Sequence, residues 1–448
     1  MISKKFLFLS LILVFTVLIS VACSSGNSST EPKEPTDPPT ETGEAWKEWK
    51  GEITIWDGPR WRDAAENQYH WLEAKAAEFE DLYPGVKVKI VQTPWAEMGD
   101  SLSVAIAGRA WPDIAPVDIS GSAVSINHIE SGVIEAIDPF FTAEELADFY
   151  PNALAEYEYN GKHYGVPNSM SVHVMLLNLD IFEEKGVEPP ANGKWTYDEF
   201  VKKMEALTGD GVYGFSTYIL DGYYEAWPFL LMDGGYPLNE DLTEYAFDSP
   251  EAISGLQKLV DLKTKYNVAP FEMGGPDVGQ TWQEWGNAER RSLAVTPWAT
   301  WAIAAAQGDN FKTNFMVAEY PSGKLGESVS IGGVGGWVMF AQQDDNKKRM
   351  TAEFVKHISS TDEQFVMSQN YGTFPARIST ADLDPFADNP EMARAQEITE
   401  QAVMLPRHPE WARIDEAIQR ELQLALNGEK TAEQALSDAR RVVESILK

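Results

Sequence analysis

The chain has 448 residues and carries 36 basic against 69 acidic side chains, a net charge of −33 with its six histidines neutral. Such a charge repels phosphate backbones, which excludes nucleic acid as a partner, and it disfavours anionic solutes unless a local basic cluster overrides the field. One cysteine, Cys23, leaves no disulfide framework, so the fold must rest on core packing, and the length suffices for two or three domains.

In chain order, Lys4 and Lys5 precede Phe6 to Ala22, a run of 17 uncharged residues ending in Ser20-Val21-Ala22 and then Cys23. This is a secretory signal with a small-residue processing site, and it is shorter than the roughly 20 apolar residues of a spanning helix. The junction resembles a bacterial lipobox, with Ser20 where Leu is usual. That resemblance implies that Cys23 is lipidated (palmitate or a similar acyl group) and becomes the first mature residue. A lipid-anchored protein on the outer face of the cytoplasmic membrane is then expected, two acyl chains being enough for stable anchoring. A plain cleaved signal and an uncleaved anchor are the alternatives. We read 1–22 as signal peptide and 23–44 as a lipidated cysteine plus tether. The tether, rich in Ser, Thr, Pro and Glu, has nothing with which to build a core, and its prolines give it a reach of up to about 65 Å at about 3.1 Å per residue. Losing Lys4 and Lys5 from the 36 basic residues leaves 34 against 69, a mature charge of −35.

From residue 51 short strands alternate with helices. Residues 52–56 alternate as a strand, 67–83 carry Trp71, Leu72, Ala76 and Phe79 at helical spacing, and Pro84-Gly85 stops that helix. A second strand is expected over 86–91, a helix over 95–107 and a third strand from Pro112. Such alternation indicates parallel βαβ units in an open α/β sheet. Capping boxes are read at Thr142/Glu145, Thr196/Glu199, Thr361/Gln364 and Thr431/Gln434, with a helix start at Ser249-Pro250. Two amphipathic helices, 410–427 and 431–447, close the chain around Asn427-Gly428.

The order of local signatures then becomes recognisable. The opening strand Ile53-Thr54-Ile55-Trp56 is followed by Trp111-Pro112-Asp113-Ile114 with Val117-Asp118. Next come Asn160-Gly161-Lys162-His163-Tyr164-Gly165-Val166-Pro167, Leu177-Asn178-Leu179-Asp180-Ile181-Phe182 and Trp195-Thr196-Tyr197-Asp198-Glu199-Phe200. The series ends with Ala294-Val295-Thr296-Pro297-Trp298, Gly332-Gly333 to Trp337 and Gly372-Thr373-Phe374-Pro375-Ala376-Arg377. In that order they resemble the extracellular solute-binding proteins of carbohydrate ABC importers, the group that includes maltose-binding protein, over essentially all of 45–448. The resemblance implies an α/β, two-lobed periplasmic-binding-protein-like fold of type II with the ligand cleft between lobes: lobe one 45–165 plus 319–370, lobe two 166–318 plus 371–448. It also implies a monomer that hands a carbohydrate to the permease subunits of an importer.

A sugar offers hydroxyl edges, which charged and amide groups bind, and apolar faces, which aromatic rings cover. Candidate ligand contacts are therefore Asp57 and Trp61 after the first strand, Asp118 and Ser120 after the third, and Ser169 at the first crossing. Trp298 is the expected stacking platform. Gly333 and Gly335, which let a ligand approach backbone, stand with Trp337, Arg377, Trp227 and Trp411. Trp301 and the Trp282/Trp285 pair read as packing. No catalytic residue, cofactor or metal is expected: the histidines lack ligand spacing, no nucleophile elbow or phosphate loop is present, and Asn239-x-Asp241-x-Thr243 is an incomplete calcium loop. An exported glycoside hydrolase or lyase, needing two carboxylates about 5–10 Å apart, is the alternative from another class, and a binding protein coupled to a membrane sensor is a third reading.

Overall fold

The computed structural model describes residues 44–448 except 120, 122, 288–290, 309–312 and 400–401. The signal, Cys23, nearly all of the tether and Ser120 lie outside the described residues.

The expected period-two segments are strands: β1 is Gly51–Asp57, β2 Val86–Gln92 and β3 the two residues Ile114–Ala115. A hairpin, β4 (Glu158–Tyr159) and β5 (Lys162–His163), turns at Asn160-Gly161, both in the left-handed region that this turn requires. The long strand β6, Val166–Asn178, follows, then β7 (Tyr213–Phe215), β8 (Leu293–Ala299), β9 (Phe315–Ala318), β10 (Ser330–Met339) and β11 (Ala402–Val403). Among the described residues, nine strands share one sheet in the order β2-β1-β3-β10-β6-β8-β7, with β11 on β10 and β9 on β6. The pairs β1/β2, β1/β3 and β7/β8 are parallel, as the βαβ pattern demands. β10 runs antiparallel to both β3 and β6.

Helices begin where side chains satisfy the free N–H groups of the first turn. Thr142, Thr196 and Thr431 form reciprocal boxes with Glu145, Glu199 and Gln434, and Ser249 caps Pro250–Thr264. The box expected at Thr361/Gln364 is absent. Ser360 caps that helix through the Glu363 N–H, and Gln364 turns inward. There its Oε1 accepts from the Ala376 and Arg377 N–H groups at 2.8 and 3.1 Å while its amide donates to the Pro167 carbonyl at 3.1 Å. Fully buried, it is worth more as a clip between two chain segments than as an exposed cap.

Two separate cores lie either side of the β6/β10 pair. One gathers Ile53, Ile55, Phe79, Trp337, Phe354 and Met367. The other gathers Phe200, Phe215, Trp227, Phe229, Trp411 and Leu422, flanked by an aromatic cluster around Trp285 and Trp298. The chain passes between them along Val166–Val172 of β6, paired with Gly332–Trp337 of β10, and along a third segment in which Phe374 and Met170 exchange both backbone hydrogen bonds at 2.7 Å.

Candidate functional site

The crossing strands form the floor of a cleft whose walls come from the two cores. β10 has a register shift between Gly335 and Gly336, a bulge that bends the strand. At Gly336 a Cβ would stand 2.6 Å from the Val166 carbonyl and 2.6 Å from the Tyr157 hydroxyl, so only glycine lets the two strands meet there. Gly335 and Ser169 face each other across the pair.

At one end of the cleft lies a cavity of about 600 Å³ lined from the first core by Trp61, Asp63, Gln68, Asn370 and Tyr371, and from the second by Trp282 and Trp301. All four of these aromatic residues are half-buried. Beside it, the Tyr223 ring, in the loop between β7 and Trp227, packs on Tyr218 with centroids 5.7 Å apart, and Tyr218 packs on Trp298. Tyr224 of the same loop packs edge-on against Trp227 with centroids 5.3 Å apart. Burial pushes its phenol far above the usual value, and the nearby carboxylates of Asp415 and Asp118 add to the shift. Asp118 lines a second cavity, of about 250 Å³, with Gly121, Val334 and Gly335, and Gly333 lines a third, of about 220 Å³, with Ser171, Asn152 and Gln396. The Trp411 indole N–H donates to the Tyr224 hydroxyl at 3.2 Å. Asn127 and Glu410 span the two walls at this end.

Of the residues expected from sequence, Trp61, Asp118, Ser169, Gly333 and Gly335 therefore stand on the cleft, and Trp411 is buried in the second core with its indole N–H on the Tyr224 hydroxyl. The others do not. Trp298 is 1% exposed; its ring is enclosed by Trp282, Tyr218 and Trp301 with centroids at 4.8, 5.1 and 5.5 Å. It backs the rings that face the cavity instead of facing it. Its indole N–H has no protein partner. Trp227 is wholly buried among Phe247, Tyr224 and Trp411. Asp57 binds Arg60 through both oxygens at 2.9 Å, and Arg60 is in turn held between Trp337, Trp71, Tyr371 and Trp95 at 5.2–5.7 Å. Burial raises the Asp57 pKa against the pull of Arg60. Asp57 and Trp337 thus belong to a buried cation–π strut of the first core. Arg377 donates to Asp148 at 2.9 Å and to the Ser359 carbonyl at 2.7 Å, over the Phe149 ring at 4.1 Å; it is a seam residue, its fork already satisfied.

Sequence reasoning missed Tyr371, and it assigned Trp301 and Trp282, which line the same cavity, to packing. Trp285 is core, stacked on Trp282 at 5.4 Å and 28°. Asn239 closes a tight turn, its Oδ1 accepting from the Thr243 and Glu244 N–H groups at 2.8 and 3.0 Å. Among the described residues no three His, Cys, Asp or Glu side chains converge as a metal site, and no helix is long and apolar enough to cross a membrane.

A two-lobed α/β body with an aromatic, hydroxyl-lined cleft defines a solute-binding receptor. The chain belongs to the bacterial extracellular solute-binding proteins, whose family model matches residues 74–394. It is 25% identical over 402 residues to a putative binding protein of Brucella abortus, covering 86% of this chain and 91% of that one. To the maltotriose-binding protein of Pyrococcus abyssi it is 23% identical, covering 87% and 79%. Among solved structures it is similar to a Listeria monocytogenes ABC substrate-binding protein in complex with cycloalternan (TM-score 0.76, 22% identity, 89% of this chain and 99% of that one). It is also similar to a Thermotoga lettingae ABC transporter solute-binding protein bound with alpha-D-tagatose (TM-score 0.76, 25% identity, 89% and 100%). These relatives and neighbours are solute-binding proteins, not enzymes.

Proposed function

We propose that the protein is a lipid-anchored extracellular receptor that closes on a neutral sugar, an oligosaccharide, and delivers it to the permease of an ABC importer. The observation that carries this reading is the cavity lined by Trp61 and Tyr371 from one wall and by Trp282 and Trp301 from the other, with the charged side chains Arg60, Arg62, Asp63 and Glu66 and the amides of Gln68 and Asn370 around it. Aromatic rings lining one cavity suit the apolar faces of pyranose units, and the amides, carboxylates and guanidinium groups among them suit their hydroxyls. Similar proteins bound to cycloalternan and to alpha-D-tagatose, and a maltotriose-binding relative, support the ligand class.

Anchoring at Cys23 rests on the lipobox resemblance and the tether. The lobes divide at the crossing segments, at about 166, 332 and 374. Packing favours assigning 319–331 to lobe two, since Tyr320 and Ile331 join the Trp227 core, and 376–381 to lobe one, through Arg377 and Asp148.

A thermal-shift panel of neutral mono- and oligosaccharides tests the reading. At least one is expected to raise Tm by several degrees, as ligand binding to the native state alone requires, and to be recovered unchanged. Absence of any shift across the panel, or release of new reducing ends, overturns it. Cys23→Ser should release the protein from the membrane fraction into the medium.

A further inference from the structure

The helix Trp411–Leu426 carries three polar side chains on its inward face, Asp415, Gln419 and Gln423, four residues apart and in line with Trp411. Asp415 and Gln419 are 2% and 1% exposed. Core-facing positions of an amphipathic helix are ordinarily apolar, because a buried polar group is costly unless fully partnered. Here every rung meets one short stretch of chain. The Gln423 amide donates to the Ile219 carbonyl at 2.8 Å, Asp415 accepts from the Gly222 N–H at 2.7 Å, and the Gln419 amide donates to the Tyr223 carbonyl at 2.8 Å. The same Gln419 amide also donates to Asp415 at 3.1 Å, and the Tyr224 hydroxyl, which accepts from Trp411, is a further partner of Asp415. The 219–224 stretch belongs to no strand or helix. Its side-chain partners on this helix replace the ladder it lacks.

We infer that Asp415, Gln419 and Gln423 are positioning residues, a latch of one-turn spacing that holds the 219–224 loop and so sets where Tyr223 packs on Tyr218, behind the Trp298 and Trp282 wall of the interlobe cleft. The inference rests on the carbohydrate reading of that cleft. The latch sets where the tyrosines sit before ligand arrives, so the ordering entropy of the loop is not charged against binding.

The test uses the full chain, backbone amide exchange without ligand, and titration with maltotriose as the probe. In Asp415→Ala the Gly222 amide should exchange at least about tenfold faster, and maltotriose affinity should fall at least about tenfold, as leaving a buried donor without its acceptor implies. Asp415→Asn, which keeps one acceptor oxygen, should restore both to within about threefold of wild type. Gln419→Met, which conserves volume and removes the amide, should loosen Tyr223 in the same way and serves if Asp415→Ala does not fold. Unchanged exchange over 219–224 in the folded variants overturns the latch, as does faster exchange with unchanged affinity or failure of Asp415→Asn to restore either quantity. If wild type binds neither maltotriose nor any other neutral saccharide, the proposed function fails, while amide exchange still decides whether the loop is latched.

Discussion

Asn127 of one wall donates its side-chain amide to Glu410 of the other, Nδ2 to Oε1 at 3.1 Å. With the Arg407 guanidinium bonded to the Ala155 carbonyl, this is a polar tie across the cleft next to Asp118 and Trp411. Such ties are exposed and individually worth about 0.2–1 kcal/mol, small enough for a hinge to open and close around them. Asn127→Ala combined with Glu410→Ala should shift the unliganded protein toward a more open form. Small-angle scattering should show a larger radius of gyration for the double variant without sugar and the same radius with saturating sugar.

The aromatic walls should separate binding from stability. Trp282→Ala and Tyr371→Ala remove half-buried rings from the cavity and should each weaken binding of the cognate sugar by about three- to tenfold, from the roughly 0.5–1.5 kcal/mol of a ring contact. Phe200→Ala deletes a fully buried ring packed among Trp195, Phe215 and Phe229 and should destabilise the fold by about 3–5 kcal/mol, with little change in affinity where the protein remains folded. Calorimetric titration and denaturant melts on the same samples distinguish the two patterns.

Asp415 gives the latch a pH signature. Burial, reinforced by Asp221, raises its pKa from 3.8 to about 7 despite the Gly222 N–H and the Gln419 amide. Between about pH 4 and pH 7 the folded chain therefore holds a proton that the unfolded chain has released. This carboxyl adds no penalty below about pH 4. The penalty grows as pH rises through the window, to a limit on the order of 4 kcal/mol, and is constant above it. Asp415→Asn should flatten that part of the stability profile, so its advantage over wild type is larger at pH 8 than at pH 5. Parallel profiles for the two proteins would contradict this role for Asp415.

The crossing strands make a different demand. Gly336→Ala would place a methyl 2.6 Å from the Val166 carbonyl, where backbone must move. It should destabilise the protein and reduce the change in scattering on ligand addition. Gly335→Ala meets only the Ser169 hydroxyl, a side chain able to rotate, and should be milder.

Local features were legible in the sequence because their causes are local. β1 and β2 follow a period of two, the helix Trp95–Ala107 falls where its periodicity placed it, and Thr142, Thr196 and Thr431 cap as their spacing implies. The two-lobed fold was legible through the order of its signatures. The fate of individual aromatic residues was not. Trp298 and Trp301, three residues apart, were ranked in the wrong order, since which ring faces the cavity depends on Trp282 and Tyr218 arriving from other segments. Asp57 looked like a free carboxylate at a strand end; Arg60, only three residues on, binds it because Trp71, Trp337 and Tyr371 enclose the guanidinium. Gln364 read as a cap and is a clip between crossing segments, a role visible only once residues 167 and 376 are neighbours.

The central claim, that two lobes close on an uncharged sugar and leave it intact, is tested most directly by scattering from the protein titrated with neutral oligosaccharides, maltotriose first, with the sugar analysed afterwards. The account predicts a saturable fall in the radius of gyration with at least one saccharide and recovery of that saccharide unaltered. No compaction with any saccharide of the panel, or compaction accompanied by cleavage of the sugar, would contradict it.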